Sequence, residues 1–298
     1  MEFVVQVSDR RLTALNGNVG SVVTDEETKA IHVNLDKRQL VVGYTGIAAI
    51  GNRSTNTVLL DMFMDVAQRV SPEDHDGFVH SVAQELTGVF QTWPGKRLTP
   101  AQRRLTVMIT GYIVIGDHYQ LVQALISNFQ VWGSHDEPEA WTSFAPYFIR
   151  PKSDVPPEEV TLIQRIGAYE ALDPALMETA LRPLLAPGKP PSAIRDKLLD
   201  LLPIQASAFT TVGMQANAVI LRKPFMGVEW SYHTAVNSAA TYVGDSINEI
   251  EPGVFLATRG MEVRSVDGPP IAVPKVDARL TCPCGSGKLY GKCHGATL

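Results

Sequence analysis

The chain has 298 residues, of which 45% are hydrophobic and 19% are charged, and its formal net charge is −5. This composition is typical of a globular protein with one large domain or two smaller ones. The acidic balance, with a pI of about 5.8, disfavours broad nucleic-acid binding, which needs a basic face. We predict no membrane span and no signal peptide, because long apolar runs and a basic start are absent, and we expect a cytoplasmic protein.

The first third of the chain predicts strands followed by helices. Residues 1–7, 29–33 and 40–46 carry the β-branched and apolar patterns of strands, and the last of these runs ends in glycine. Apolar residues then recur at helical spacing over 58–70. A second helical stripe, with Asp74 or Asp76 as a candidate cap, comprises Phe78, Val79, Val82, Leu86, Val89, Phe90 and Trp93. We interpret both stripes as core packing.

The remaining elements repeat this order. The predicted strands are 105–113, 119–126 after a turn at 116–118, 141–150 and 216–221, with mixed strand and turn signals over 232–265. Three helices are predicted here: one that begins at Glu158, one over 175–186 and one over 191–209. Pro203 predicts a kink or a break in the last of them. Strands, two helices, strands, two helices and strands indicate an α+β fold with two antiparallel sheets stacked face to face and helix pairs outside. The order does not match the alternating pattern of a dinucleotide-binding domain.

All three cysteines lie near the C-terminus, as Cys282, Cys284 and Cys293, and His294 follows the last of them. Three thiolates and one imidazole form the donor set of a closed tetrahedral zinc site. Four protein ligands leave no position for water, so the spacing predicts one structural Zn²⁺ rather than a catalytic one. We divide the chain into a body (residues 1–262), a proline-rich linker (263–277) and a zinc knuckle (278–298).

Two other interpretations of the knuckle fit less well. A disulfide is disfavoured by the odd number of cysteines and the absence of a secretion signal. A nucleotide-binding loop is suggested by residues 285–288. However, its first glycine is missing, and Leu289 stands where a hydroxyl residue is needed.

The run from Cys282 to Gly295 closely resembles the SEC-C motif, which is found at the C-terminus of the preprotein translocation ATPase and of many unrelated bacterial proteins. The resemblance implies zinc bound by the three cysteines and His294. It also implies a docking module for a protein partner, such as an export chaperone or a component of the ribosome or translocation machinery. It covers only about the last 17 residues.

Residues 4–13, 29–34 and 41–46 resemble three landmarks of proteasome β-type N-terminal nucleophile (Ntn) hydrolases: a strand leading to a D-x-R turn, a lysine opening a strand, and a strand ending in glycine. The resemblance implies a four-layer αββα sandwich and assembly into a homo-oligomer. It also implies supporting catalytic roles: Lys29 lowers the pKa of the nucleophile, Asp9 holds the lysine, and backbone N–H near Gly46 stabilises an oxyanion. Taken alone, Asp9 also fits a turn cap or a salt bridge to Arg11. Lys29 also fits a solvated strand end, and Gly46 a tight turn.

The family's nucleophile is a Thr, Ser or Cys at the mature N-terminus, whereas this sequence begins Met1-Glu2 and its nearest hydroxyl residues, Ser8 and Thr13, are internal. We therefore expect a non-catalytic or N-terminally truncated proteasome-like protein with a docking knuckle. The alternative is an active amidohydrolase or peptidase whose nucleophile is encoded upstream of Met1. A third interpretation is a pure adaptor that carries a partner to the translocation or ribosome machinery.

Overall fold

The computed structural model describes residues 3–9, 12–16, 20–24, 28–51, 53–93, 98–130, 141–149, 163–167, 173–186, 188–209, 216–222, 227–233, 241–259 and 261–263. The strands are β1 (Phe3–Asp9), β2 (Leu12–Asn16), β3 (Gly20–Thr24), β4 (Ala30–Leu35), β5 (Arg38–Gly46), β6 (Ala49–Ile50), β7 (Arg53–Ser54), β8 (Leu105–Ile115), β9 (His118–Ser127), β10 (Ala145–Ile149), β11 (Ala216–Arg222), β12 (Val228–His233), β13 (Thr241–Val243), β14 (Asp245–Glu251), β15 (Val254–Thr258) and β16 (Met261–Val263). The helices are α1 (Thr55–Arg69), α2 (His75–Thr92), α3 (Pro174–Leu181) and α4 (Pro191–Ala208).

The largest sheet has seven strands in the order β10-β9-β8-β5-β4-β14-β15. All neighbours are antiparallel except β14 and β4, which pair in parallel with Ser246 opposite His32. The prediction of purely antiparallel sheets is therefore wrong at this pair. A parallel pair needs a long crossover, and about 200 residues separate β4 from β14 in the sequence.

Helices α1 and α2 cover one face of this sheet. Successive strand side chains point to opposite faces, and alternate residues of β4 and β5, such as Ile31, Val33 and Val42, pack in one buried cluster with Phe63 and Phe78 of the helices. The helical stripes predicted from the sequence are thus confirmed as core. Helix α1 begins at Thr55, three residues before the predicted stripe, because the Ser54 side chain caps it by accepting from the Thr57 N–H.

A three-stranded sheet, β1-β11-β12, lies over the opposite face. Val4 of β1 and Val219 of β11 share a buried cluster with Ala30, Val41 and Tyr112 of the large sheet. On its outer side, Val5 of β1 packs with a second helical cluster comprising Met177, Leu181, Ile194 and Leu201 of α3 and α4. The described residues therefore show a mixed α+β fold in which the sheets face each other.

Two local expectations need correction. Pro203 does not end or break its helix: α4 runs from Pro191 to Ala208 with the proline inside. The helix predicted from Glu158 is not present at 163–167, which are irregular, and residues 158–162 lie outside the described residues. The linker and the knuckle, residues 264–298, also lie outside them.

We expect the protein to lose stability at acid pH because of His32 on β4. Its ring is buried between the sheets, and Nε2 has no hydrogen-bond partner among the described residues. Burial lowers the pKa of His32 from 6.5 to about 4. The unfolded chain therefore binds this proton at a higher pH than the folded chain. Protonation of His32 should therefore not affect the free energy of unfolding above pH 6.5. It should lower this free energy by about 3 kcal/mol as the pH drops from 6.5 towards 4.

Urea unfolding at pH 7.0, 5.5 and 4.5 measures this loss. His32→Gln should make the free energy of unfolding depend less steeply on pH. His80→Gln, at an exposed position on α2, should leave this pH dependence unchanged. An equally steep dependence in His32→Gln would assign the acid sensitivity to other groups.

Candidate functional site

Lys29 and Gly46, two of the predicted site residues, lie at the same end of the large sheet. Ala30 of β4 lies opposite Gly43 of β5. One step further along the same ladder, the Tyr44 backbone N–H donates to the Lys29 carbonyl oxygen at 3.2 Å. Gly46 is two residues beyond Tyr44 on β5. Lys29 is buried, with 7% of its surface exposed, whereas Gly46 is exposed.

Asp9, in the three-stranded sheet, lies near this end of the large sheet. It is the last residue of β1, and its neighbour Ser8 lies opposite Asn217 of β11. The Asn217 side-chain amide donates to the Thr28 hydroxyl oxygen, directly before Lys29. The position of Asp9 on β1 therefore fits the predicted grouping, and its side chain lies outside the described residues.

Gly46 has a backbone conformation that other residues rarely adopt. Its φ is +112°, and an added Cβ would stand 2.0 Å from the Arg104 carbonyl oxygen. That oxygen accepts from the Ile47 N–H at 2.9 Å, which ties the end of β5 to the segment before β8. A glycine is thus required here for two independent reasons, the positive φ and the close approach of another backbone.

Strand register also gives the direction of the Gly46 N–H. Leu105, opposite Gly46, uses its N–H and carbonyl oxygen for bonds to Asn128 on the β9 side. In an antiparallel ladder the backbone groups of successive residues point to alternate sides. The Gly46 N–H therefore points to the β4 side, as the Tyr44 N–H does. This is the side on which Lys29 lies.

The first turn of α1 contacts both parts of the site. The Thr55 hydroxyl donates to the Ile47 carbonyl oxygen at 2.6 Å, and the Asn56 amide donates to the Thr28 carbonyl oxygen at 2.8 Å. Sequence reasoning did not select these two residues or Asn217, because polar residues beside a helix start or within a strand carry no distinctive pattern. Burial distinguishes them, since each has at most 3% of its surface exposed.

Hydroxyl residues on three neighbouring strands lie beside this end: Thr106 and Ser127 are buried, and Thr45 is half-buried. Thr45, Thr106 and Ser127 are register partners on β5, β8 and β9. The Thr106 hydroxyl lies 2.8 Å from that of Ser127 and donates to Gln130 Oε1 at 2.7 Å. These two hydrogen bonds join β8 to β9 and to Gln130 after it.

The four predicted zinc ligands, Cys282, Cys284, Cys293 and His294, lie outside the described residues. Their chemistry nevertheless fits zinc, since three thiolates and one imidazole are the ligands that structural zinc prefers. Within the described part of the chain, no group of three or more His, Cys, Asp or Glu side chains could hold a metal.

Residues 281–296 match the family model of the SEC-C motif. No curated protein sequence is significantly similar to the chain. Among the helices that the structure describes, none is long and apolar enough to cross a membrane.

The chain is similar in structure to subunits named Anbu, for "ancestral beta-subunit". That of Yersinia bercovieri has 15% identity and a TM-score of 0.43, and that of Pseudomonas aeruginosa, described as a helical assembly, has 16% identity and a TM-score of 0.44. Each match covers 78% of this chain and 83% of the other. The SEC-C resemblance seen in the sequence is thus found again by the family model.

Gly46→Ala should destabilise the protein by about 2–3 kcal/mol, because the alanine would carry both the unfavourable φ and the clash with the Arg104 carbonyl oxygen. Gly116→Ala is the matched control: its φ is +60°, and nothing lies within 4 Å of its added Cβ. The control should lose only about 1 kcal/mol. Guanidinium unfolding of the three proteins measures the difference, and equal losses would contradict the close approach at Gly46.

Proposed function

We propose that the chain joins a proteasome-like domain, residues 1–262, to a zinc-bound SEC-C docking module, residues 278–298, through the linker 263–277. The SEC-C match at residues 281–296 is the observation that carries the proposal. In this view Cys282, Cys284, Cys293 and His294 hold one structural Zn²⁺. The metal gives the knuckle its shape and leaves no position for activating water.

For the body, we propose the four-layer αββα sandwich. Three buried clusters support it: one between α1–α2 and the large sheet, one between the two sheets, and one between the small sheet and α3–α4. An experimental structure in which α3 and α4 pack elsewhere would contradict it. We place the protein in the cytoplasm, where thiols stay reduced for zinc, and cell fractionation tests this location.

We also propose that the body associates with further copies of itself. The hairpin of β14 and β15 ends the large sheet and exposes Ile250, Val254 and Leu256, which are 61%, 46% and 50% exposed. An exposed apolar edge strand favours pairing with another chain. Light scattering of the purified protein that gives the mass of one chain at all concentrations would contradict this association.

The docking role is tested with a purified export chaperone as the defined partner. Full-length protein should bind it, and both a chain ending at residue 277 and the Cys282→Ser, Cys284→Ser variant should not. The body should remain folded in each case, as far-ultraviolet circular dichroism would show. Equal binding by all three proteins would remove the docking role from the knuckle. No binding by any of them would exclude this partner.

A second candidate function is amide hydrolysis of the N-terminal nucleophile type. It is supported by the position of Lys29 and Gly46 at the same end of the large sheet, at which β1 also ends with Asp9. In that reaction an N-terminal Thr, Ser or Cys attacks the amide and its own α-amino group acts as base, while the three residues above support it. Reading the DNA upstream of Met1 distinguishes the candidates: an in-frame codon for such a residue supports hydrolysis, and a stop codon directly upstream excludes it.

A further inference from the structure

Two consecutive residues at the start of α1 hold the two segments of the candidate site. Thr55 bonds through its hydroxyl to the Ile47 carbonyl oxygen, directly after Gly46. Asn56 bonds through its amide to the Thr28 carbonyl oxygen, directly before Lys29. Because both side chains project from one helical turn, the helix fixes the separation of the segments that they hold.

These contacts are not the capping bonds that polar residues usually make at a helix start. Ser54 already caps α1 by accepting from the Thr57 N–H. Thr55 and Asn56 act instead as donors, and their acceptors are carbonyl oxygens outside the helix. Capping needs side-chain acceptors for the free N–H groups of the first turn, so the two donors serve a different purpose.

The segment before Lys29 needs such support because it precedes the strand. β4 begins at Ala30, so Thr28 lies outside the ladder that orders the rest of the strand. Side chains replace the ladder there: besides Asn56, the Tyr44 hydroxyl donates to the Thr28 carbonyl oxygen at 3.2 Å, and the Asn217 amide donates to the Thr28 hydroxyl. Thr28 is thereby held from α1 and from both sheets.

We propose that Thr55 and Asn56 are positioning residues that set the placement of Lys29 relative to Gly46, with Asn217 locking Thr28 from the second sheet. The proposal rests on the proposed function insofar as Lys29 and Gly46 belong to one site. Thr55 fixes the segment that contains Gly46, and Asn56 fixes the segment that contains Lys29. Each residue should therefore affect one partner more than the other.

Nuclear magnetic resonance of the ¹⁵N-labelled full-length protein tests this division. The signals to follow are the Gly46 backbone amide and the Lys29 side-chain ammonium, the latter assigned by its loss in Lys29→Arg. Thr55→Val removes the hydroxyl and keeps the shape, so it should shift the Gly46 amide. Asn56→Ala should shift or broaden the Lys29 ammonium signal. Thr55→Ser keeps the donor and should restore the Gly46 signal.

Thr87→Val is the matched control. The Thr87 hydroxyl on α2 also donates to a carbonyl oxygen, that of Ala83 at 2.8 Å, and accepts from the Phe144 N–H at 2.9 Å. Its loss should lower the melting temperature and leave both site signals in place. If Thr55→Val and Asn56→Ala behave like this control, the two residues only anchor the helix and the proposal is wrong. If Asn56→Ala proves too unstable to study, Thr28→Val, which removes only the acceptor of the Asn217 amide, should still change the Lys29 signal.

These signals require neither substrate, zinc nor partner. Loss of chaperone binding, or a stop codon upstream of Met1, would therefore count against the proposed functions and leave the positioning result intact. Unchanged site signals in all the variants would overturn the positioning role and leave the docking and hydrolysis proposals as they stand.

Discussion

The purified full-length protein should contain about one zinc ion per chain, and the Cys282→Ser, Cys284→Ser variant should contain almost none. Loss of two of four ligands opens the coordination shell. A structural zinc site contributes on the order of 10 kcal/mol to the folding of its small module, so the knuckle should lose both its metal and its order. Plasma emission analysis after gel filtration measures the metal content.

A pair of histidine variants refines this experiment. His294→Ala removes the predicted fourth ligand and should lower the zinc content or its affinity, whereas His118→Ala, at an exposed position on β9, should leave both unchanged. The melting transition of the body should be unaffected in all of them, because we propose that residues 263–277 form a linker between the body and the knuckle. Full zinc retention in the double cysteine variant would falsify the site.

Arg38→Ala should lower the free energy of unfolding by about 4 kcal/mol, the largest loss that we expect from one substitution in the body. Arg38 opens β5 and is only 1% exposed. Its guanidinium donates to the carbonyl oxygens of Ser71 and Asp74 in the loop between α1 and α2, and its Cζ lies 4.6 Å from the centre of the Phe78 ring. It thus joins the first hairpin of the large sheet to the helices.

Burial lowers the pKa of Arg38 to about 10, and the charges of Asp74 and Glu249 oppose that shift. The group is therefore still a cation at neutral pH, and its removal deletes both charged hydrogen bonds and the packing of its stem.

Arg69→Ala is the control for Arg38. Arg69 pairs with Glu85 at 2.8 Å, but the two side chains are 54% and 45% exposed, so the loss should stay below about 1 kcal/mol. Urea unfolding at pH 7 compares the two variants with the parent protein. A loss at Arg38 no larger than that at Arg69 would show that the contacts with the loop do not stabilise the fold.

Much of the body could be predicted because its elements have strong local patterns. The stripe of α2 and the strands β4 and β5 follow from the types and spacing of their apolar residues, and the structure confirms these elements. Residues 29–33 alternate as in a half-buried strand, but β4 is buried on both faces because the second sheet covers it. Of the kink or break predicted at Pro203, the break is wrong, since the local preference of proline against helix is outweighed by the packing of α4, where Leu201 is buried. Likewise the parallel pairing of β14 with β4 has no local signal, because it depends on where a distant segment of chain returns.

The sequence by itself determined the SEC-C motif and the prediction of a zinc site in it, because the four predicted ligands fall within 13 residues and metal chemistry depends on residue type and spacing. It also pointed to Asp9, Lys29 and Gly46 as candidates for one site. Only the tertiary structure decided that Lys29 and Gly46 lie at the same end of the large sheet, that Thr55 and Asn56 bond to the segments beside them, and that Arg38 and His32 are buried. The reason is physical: burial and hydrogen bonding between distant segments depend on strand register and layer packing, which no short stretch of sequence encodes.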